Sequence, residues 1–286
     1  MEKTKFRKEQ CNWCGKEYDS QEEVCPFCEH GKDKINPKRF GNRFLVTPIW
    51  KQILLFLIGC FGFQLIALLV MLYIQIVNAS LYPTPDQMSE FLATAKISGV
   101  INITSYLVLF AILCITLWKD NIKIFKSFAD WKVFVGAVIG CVAIYIFNMA
   151  YNIFLYICGV DIASNDNQSG LEKIIEIYPL LSIIVFGIIG PFCEEVTYRV
   201  GLYTFGRRLN KIASYIITII VFTFIHFDYG SADMINELLN IPFYAFAAFT
   251  FTFLYEKLGF GASFLSHSIN NLISVISVAL QNQILK

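Results

Sequence analysis

Seven long apolar stretches, at about 52–77, 98–118, 133–158, 178–206, 212–227, 238–256 and 260–283, constrain this chain more than any other feature. Most reach the roughly 17–25 residues that a helix needs to cross the hydrocarbon core of a bilayer. The run at 212–227 is the shortest, and its limits are the least sharply drawn. The expected fold is all-α, a polytopic helical membrane bundle of about seven spans. Composition agrees: 56% of the residues are hydrophobic and 16% charged, where soluble domains are nearer ~45–50% and ~25%. A formal net charge of +1 without a basic tract gives no reason to expect a nucleic-acid partner.

Charge between the runs orients the set. Lysine and arginine gather before Trp50, at Lys119, Lys123, Lys126 and Lys132, and at Arg207, Arg208 and Lys211. The alternate connections carry only Lys96 and Lys173, and 227–237 carries none. By the positive-inside rule the N-terminus is cytoplasmic and the lipid bilayer is crossed to leave the C-terminus outside. Trp50, Trp118 and Trp131 then fall at the cytoplasmic interface, as an aromatic belt requires.

Of nine cysteines, Cys60, Cys114, Cys141, Cys158 and Cys193 fall singly in apolar runs, as small buried hydrophobes do. The other four form two C-x2-C pairs, Cys11/Cys14 and Cys25/Cys28. Four thiolates on two tight turns are what a tetrahedral structural zinc site needs, and a reducing compartment keeps them available. Residues 1–32 are therefore expected to be a small cytoplasmic zinc ribbon whose folding energy comes mostly from the metal. Residues 33–48 read as a basic linker with Lys34, Lys38, Arg39 and Arg43, and 49–286 as the membrane domain.

Within that domain ionisable residues are sparse, which makes those at depth functional candidates. Glu194 and Glu195 lie near the end of the run at 178–206, and Arg199 follows four residues after Glu195. On a helix Glu195 and Arg199 share a face and can pair, while Glu194 is turned about 100° away. His226 ends an apolar helix in Phe222-Thr223-Phe224-Ile225-His226, and His267 and Asn271 share a face of the last run. Counted from the charged ends, Glu194 lies about 15–20 Å and His226 about 20–25 Å from the cytoplasmic side. Their meeting therefore calls for helix tilt or a bend near Pro191.

Glu194-Glu195…Arg199, then Phe222…His226, then His267…Asn271 resembles the E-E-x-x-x-R, F-x-x-x-H and H-x-x-x-N series of the CPBP family, the CAAX prenyl endopeptidases and bacteriocin-processing or Abi membrane proteases. The likeness covers about 175–280, so the ribbon and first two spans lie outside it. The resemblance implies an intramembrane endopeptidase (a hydrolase) in which Glu194 is general base and His226 orients the water and shuttles its proton. It further implies that His267 and Asn271 stabilise the oxyanion, with Glu195 and Arg199 as the structural pair.

Glu194, His226 and His267 could instead hold catalytic zinc as two histidines and a carboxylate. The resemblance favours a metal-free membrane site. In a non-enzymatic alternative, the bundle is an adaptor or immunity protein that binds a peptide in the same pocket. The ribbon would then recruit a cytosolic protein partner. The Lys-, Ile- and Asn-rich composition points to a bacterial plasma membrane, where the substrate would be a membrane-associated peptide or protein.

Overall fold

The computed structural model describes residues 8–11, 16–22, 24–27 and 47–284. Cys14, Cys28 and the basic linker up to residue 46 lie outside them. Near the N-terminus, β1 (Lys8–Gln10) and β2 (Glu17–Asp19) form an antiparallel pair in which Glu9 faces Tyr18. The Cys11 amide closes the turn by donating to the Lys16 carbonyl at 2.8 Å. Cys11, Tyr18 and Cys25 are buried together in a cluster of their own. The strands thus bring one cysteine of each C-x2-C pair into the same small core.

From residue 49 onward, the chain is helical. The helices are α1 (Ile49–Asn78), α2 (Pro85–Ala93), α3 (Ala95–Thr116), α4 (Asn121–Lys126), α5 (Trp131–Ile157) and α6 (Asp166–Ile177). They continue as α7 (Pro179–Arg207), α8 (Lys211–Phe224), α9 (Met234–Leu258) and α10 (Phe260–Ile284). Six of them, α1, α3, α5, α7, α9 and α10, are long and apolar enough to cross a membrane. The expectation of about seven spans needs correction at the run 212–227. It forms α8, whose 14 residues rise only about 21 Å, short of the roughly 30 Å hydrocarbon core.

The apolar faces that remain exposed follow from the same physics. Phe61, Leu65, Leu69, Tyr73 and Ile76 of α1 and Phe134, Ile139, Ile146 and Phe154 of α5 are exposed. A helix apolar on all sides fits a lipid environment rather than water. The expected interface tryptophans, Trp50, Trp118 and Trp131, are all exposed at helix ends. The Lys51–Asp120 ion pair at 2.6 Å holds the start of α1 beside the residues that follow α3. At the opposite end Glu237 accepts from the amides of Asp166 (2.8 Å) and Asp228 (3.1 Å). Asn240 there donates to Ala163 at 3.0 Å.

Two features of α7 set up the site. Pro191 has no N–H to give to the carbonyl four residues back, and the helix widens to π-helical turns at Val185–Ile189. The Gly190 amide bonds five residues back to the Val185 carbonyl. A second wide stretch runs over Val196–Tyr203, where the Thr204 hydroxyl donates to the Arg199 carbonyl at 2.7 Å. Such turns concentrate at functional sites and re-aim side chains. These two flank the glutamate pair.

Against this helix α1 packs closely through glycine. A Cβ on Gly59 would lie 1.7 Å from Thr197 Oγ1 and 2.6 Å from its Cβ. Between α9 and α10 the chain turns at Gly259, whose φ of 89° falls in the region that only glycine enters freely. Gly59→Leu should therefore destabilise the bundle by about 1–3 kcal/mol, the usual range for overpacking. It would appear as a lower melting midpoint in detergent micelles. Gly170→Ala, where an added Cβ meets nothing within 4 Å, should be neutral or slightly stabilising by the same measurement.

Candidate active site

Arg199 is fully buried, and its guanidinium lies between two rings, 4.6 Å from the Phe222 centroid and 5.5 Å from that of Phe251. Its Nη1 meets Glu195 Oε1 at 3.0 Å and its Nη2 donates to the Ala248 carbonyl at 3.3 Å. Glu195, also fully buried, accepts from His267 Nδ1 at 2.9 Å and, on its other oxygen, from the Ser263 hydroxyl. One carboxylate therefore joins α7 to α10 through two donors and pairs with Arg199 on its own helix. Ser263, His267 and Asn271 follow one another at intervals of four, so a single face of α10 carries all three.

Glu194 occupies a different environment. Its Oε2 is 3.7 Å from His267 Nε2 and 3.9 Å from His226 Nε2, and Tyr106 donates to its Oε1 at 3.4 Å. Oε2 is buried and has no hydrogen-bond partner among the described residues. All three sequence motifs thus meet at one carboxylate oxygen. The wide turns of α7 lie on either side of Pro191. The short α8 leaves His226 just beyond its last turn, where the His226 amide bonds to the Thr223 carbonyl at 3.2 Å.

Both imidazoles are fixed in tautomer and plane. His226 Nδ1 lies 2.8 Å from the Phe222 carbonyl, which can only accept, so that nitrogen carries the proton. Its ring stacks on Tyr244 at 4.7 Å. His267 Nδ1 faces the ionised Glu195 and likewise carries its proton, and the ring stacks on Phe251 at 4.4 Å. In their neutral forms both rings therefore present an Nε2 lone pair toward Glu194. Asn271 directs one N–H to the Phe186 carbonyl at 3.2 Å and lines the same cavity. That cavity, about 310 Å³, opens over Glu194, His226 and His267.

Comparison with known proteins bears on this arrangement. The family described as type II CAAX prenyl endopeptidase Rce1-like matches residues 176–273. That segment includes every residue of the three motifs. An uncharacterized protein of Mycoplasma capricolum subsp. capricolum is 28% identical over 183 residues, covering 60% of this chain and 52% of its own. "Putative membrane peptidase YdiL" of Bacillus subtilis is 26% identical over 177 residues, covering 61% of this chain and 67% of its own. The aligned part of the chain spans about half the length of the first of these relatives. No solved structure matches the chain. The likeness supports a membrane protease and fits an integral membrane protein.

Four residues outside the motifs belong to the site. Ser263 is legible in retrospect as the residue four before His267. Tyr106 comes from α3 and nothing in the sequence near it marks it out. Asn165 reads as a turn residue, yet it is buried and donates to the His226 carbonyl at 3.0 Å. It also accepts from Tyr244 at 3.0 Å and caps α6 through the Gln168 amide. Tyr244 completes the set by stacking on the His226 ring.

The two glutamates should respond differently to mutation. Arg199→Ala leaves Glu195 charged and buried without its partner, which should cost about 3–5 kcal/mol and sharply reduce the yield of folded protein. Glu194→Gln removes a carboxylate that no lysine or arginine among the described residues pairs with, and should leave the melting midpoint unchanged or raised, as substitutions in strained sites do. Thermal unfolding of the two variants in detergent checks both.

Proposed function

We propose that the chain is an intramembrane endopeptidase, hydrolysing a peptide bond in a membrane-associated peptide or protein with a water activated by Glu194. The observation that supports this reading best is the buried Glu194 Oε2, without a donor and faced by two imidazole nitrogens at 3.7 and 3.9 Å. A water within hydrogen-bond reach of that oxygen and of His226 Nε2 is held by two acceptors at once, which leaves its own lone pair free to attack.

In the reaction, the water O–H breaks as its oxygen bonds the carbonyl carbon, and the proton passes to Glu194. The carbonyl oxygen takes up negative charge and receives the second N–H of Asn271. His267, protonated at Nε2 from the aqueous phase before the substrate binds and keeping that proton through the cycle, adds a charged donor, with Glu195 on its other nitrogen stabilising the imidazolium. The proton held by Glu194 moves through His226 to the leaving nitrogen as the C–N bond breaks. General acid–base assistance of this kind contributes about 10²–10⁴-fold. Glu195 and Arg199 act through geometry, by holding α7 against α10.

Zinc at the membrane site is the second reading, since a carboxylate oxygen and two Nε2 lone pairs converge. The likeness to the CAAX endopeptidase family leans towards a metal-free site, and we favour direct activation by Glu194. For the N-terminal segment we propose structural zinc held by Cys11, Cys14, Cys25 and Cys28. The burial of Cys11 and Cys25 in one cluster supports it. The segment would lie in the cytoplasm and recruit a protein partner there.

Termini of membrane and secreted peptides, compared between cells carrying wild type and Glu194→Gln at matched expression, test the enzyme reading. Termini dependent on Glu194 are expected, and identical sets would favour an adaptor. Metal analysis of purified protein should give one zinc per chain, lost in Cys11→Ser/Cys25→Ser and kept in His226→Ala. Two zincs per wild-type chain, one of them lost in His226→Ala, would favour the zinc-dependent mechanism.

A further inference from the structure

His226 lies past the end of α8, on a stretch without helix or strand that runs to Asp233. Connections of this kind are ordinarily the more mobile part of a fold. A group that moves a proton must nevertheless be held to about 0.5 Å of its working position. The bond from its Nδ1 to the Phe222 carbonyl fixes the ring only if the backbone of residue 226 is itself held.

Asn165 holds that backbone directly, by donating to the His226 carbonyl at 3.0 Å. Asn165 in turn belongs to the segment 158–165 that joins α5 to α6, and its grip is only as firm as the placement of that segment. The first turns of α9 fix it. Asn236 accepts from the Ala163 amide at 3.1 Å and donates to the Ser164 carbonyl at 3.3 Å, and Asn240 donates to the Ala163 carbonyl at 3.0 Å. Beside them the Glu237 side chain, in a residue only 2% exposed, uses both of its oxygens. Oε1 accepts from the Asp166 amide at 2.8 Å and Oε2 from the Asp228 amide at 3.1 Å.

Those two amides come one residue after Asn165 and two residues after His226. One carboxylate therefore clasps both strands of chain that the Asn165–His226 hydrogen bond joins. Glu237 is not needed to cap its own helix, because Asp233 caps α9 by accepting from the Asn236 amide at 3.0 Å. Both of its bonds leave α9, and a carboxylate is suited to them because it accepts on two atoms and donates from neither. We propose that Glu237 is a positioning residue for His226, which fastens residue 166 to residue 228 and so sets the imidazole against Glu194. Its part in the reaction rests on the protease reading given above, whereas its part in placing the ring does not.

The chain has three histidines, so magnetic resonance of the full chain, carrying heavy-nitrogen histidine in detergent micelles, reads three rings. His226→Ala and His267→Ala assign two of them. Glu237→Gln keeps the size of the side chain but opposes one backbone N–H with a second donor. In wild type the His226 nitrogens should be one pyrrole-like and one pyridine-like. In Glu237→Gln they should converge as the tautomers mix, with the His267 nitrogens unmoved. Asp166→Pro breaks the clasp from the other side, since proline has no N–H and the first position of a helix admits it. It should give the same change, and it carries the test if Glu237→Gln does not fold. A misplacement of about 1 Å can cost about 10²-fold in rate, so the termini that depend on Glu194 should fall at least about tenfold in either variant. His226 signals unchanged from wild type would overturn the proposal. Equal movement of His226 and His267 would overturn it too, because that marks general loosening. A moved His226 ring with undiminished termini would overturn the part in the reaction. If no terminus depends on Glu194, the protease reading falls, and the ring signals alone still decide whether Glu237 places His226.

Discussion

A guanidinium with no exposure to solvent, in a segment able to cross a bilayer, can persist only with its charge answered. Arg199 meets that demand through the Glu195 carboxylate and two aromatic faces, and its Nη2 donates to the Ala248 carbonyl. Glu195 in turn draws His267 and Ser263 from α10. Removing Glu195 or Arg199 leaves a buried charge without its partner, and such losses are among the most costly substitutions. The relative placement of α7, α9 and α10 follows from this network, and so does the orientation of the His267 ring.

Against that rigid background, Glu194 stands apart. It neighbours Glu195 in sequence and faces the other nitrogen of the same His267 ring, yet the ion pair with Arg199 belongs to Glu195. One helix thus carries two carboxylates with opposite fates, one neutralised and immobile, the other exposed to a cavity and to two imidazoles. The π-helical turns on either side matter here, because they let Pro191 sit in the helix without breaking it and adjust how the two glutamates are presented. Close packing of Gly59 on Thr197 then brings α1 near enough to wall off the cavity.

Much of this was legible in the sequence because burial in lipid enforces simple patterns. The apolar runs at 133–158 and 178–206 became helices at 131–157 and 179–207 with ends displaced by one or two residues. The motif residues meet at Glu194 Oε2, although depths counted along the sequence set Glu194 and His226 apart. The rest depended on tertiary geometry that periodicity does not carry. Nothing near Tyr106 announces that α3 will face Glu194, and Asn165 as a turn residue does not reveal the His226 carbonyl as its partner. The wide turns of α7 have only Pro191 as a sign. The shortfall of α8 was foreshadowed by its brief apolar run. The paired cysteines are legible as chemistry, and two of them, Cys14 and Cys28, lie outside the described residues.

Hydrolysis consumes water, and a site enclosed by helices must be supplied with it. Here α8 stops at Phe224, and the chain continues past His226 through Asp228, Gly230, Ser231 and Asp233, all but Ser231 of them well exposed. Irregular backbone of this kind cannot face hydrocarbon, so the level at which α8 ends is a level the aqueous phase must reach. The supply route for the reagent is thus written into the length of a single helix. Lengthening α8 by one turn would carry His226 about 5 Å further along its axis, changing access and alignment together.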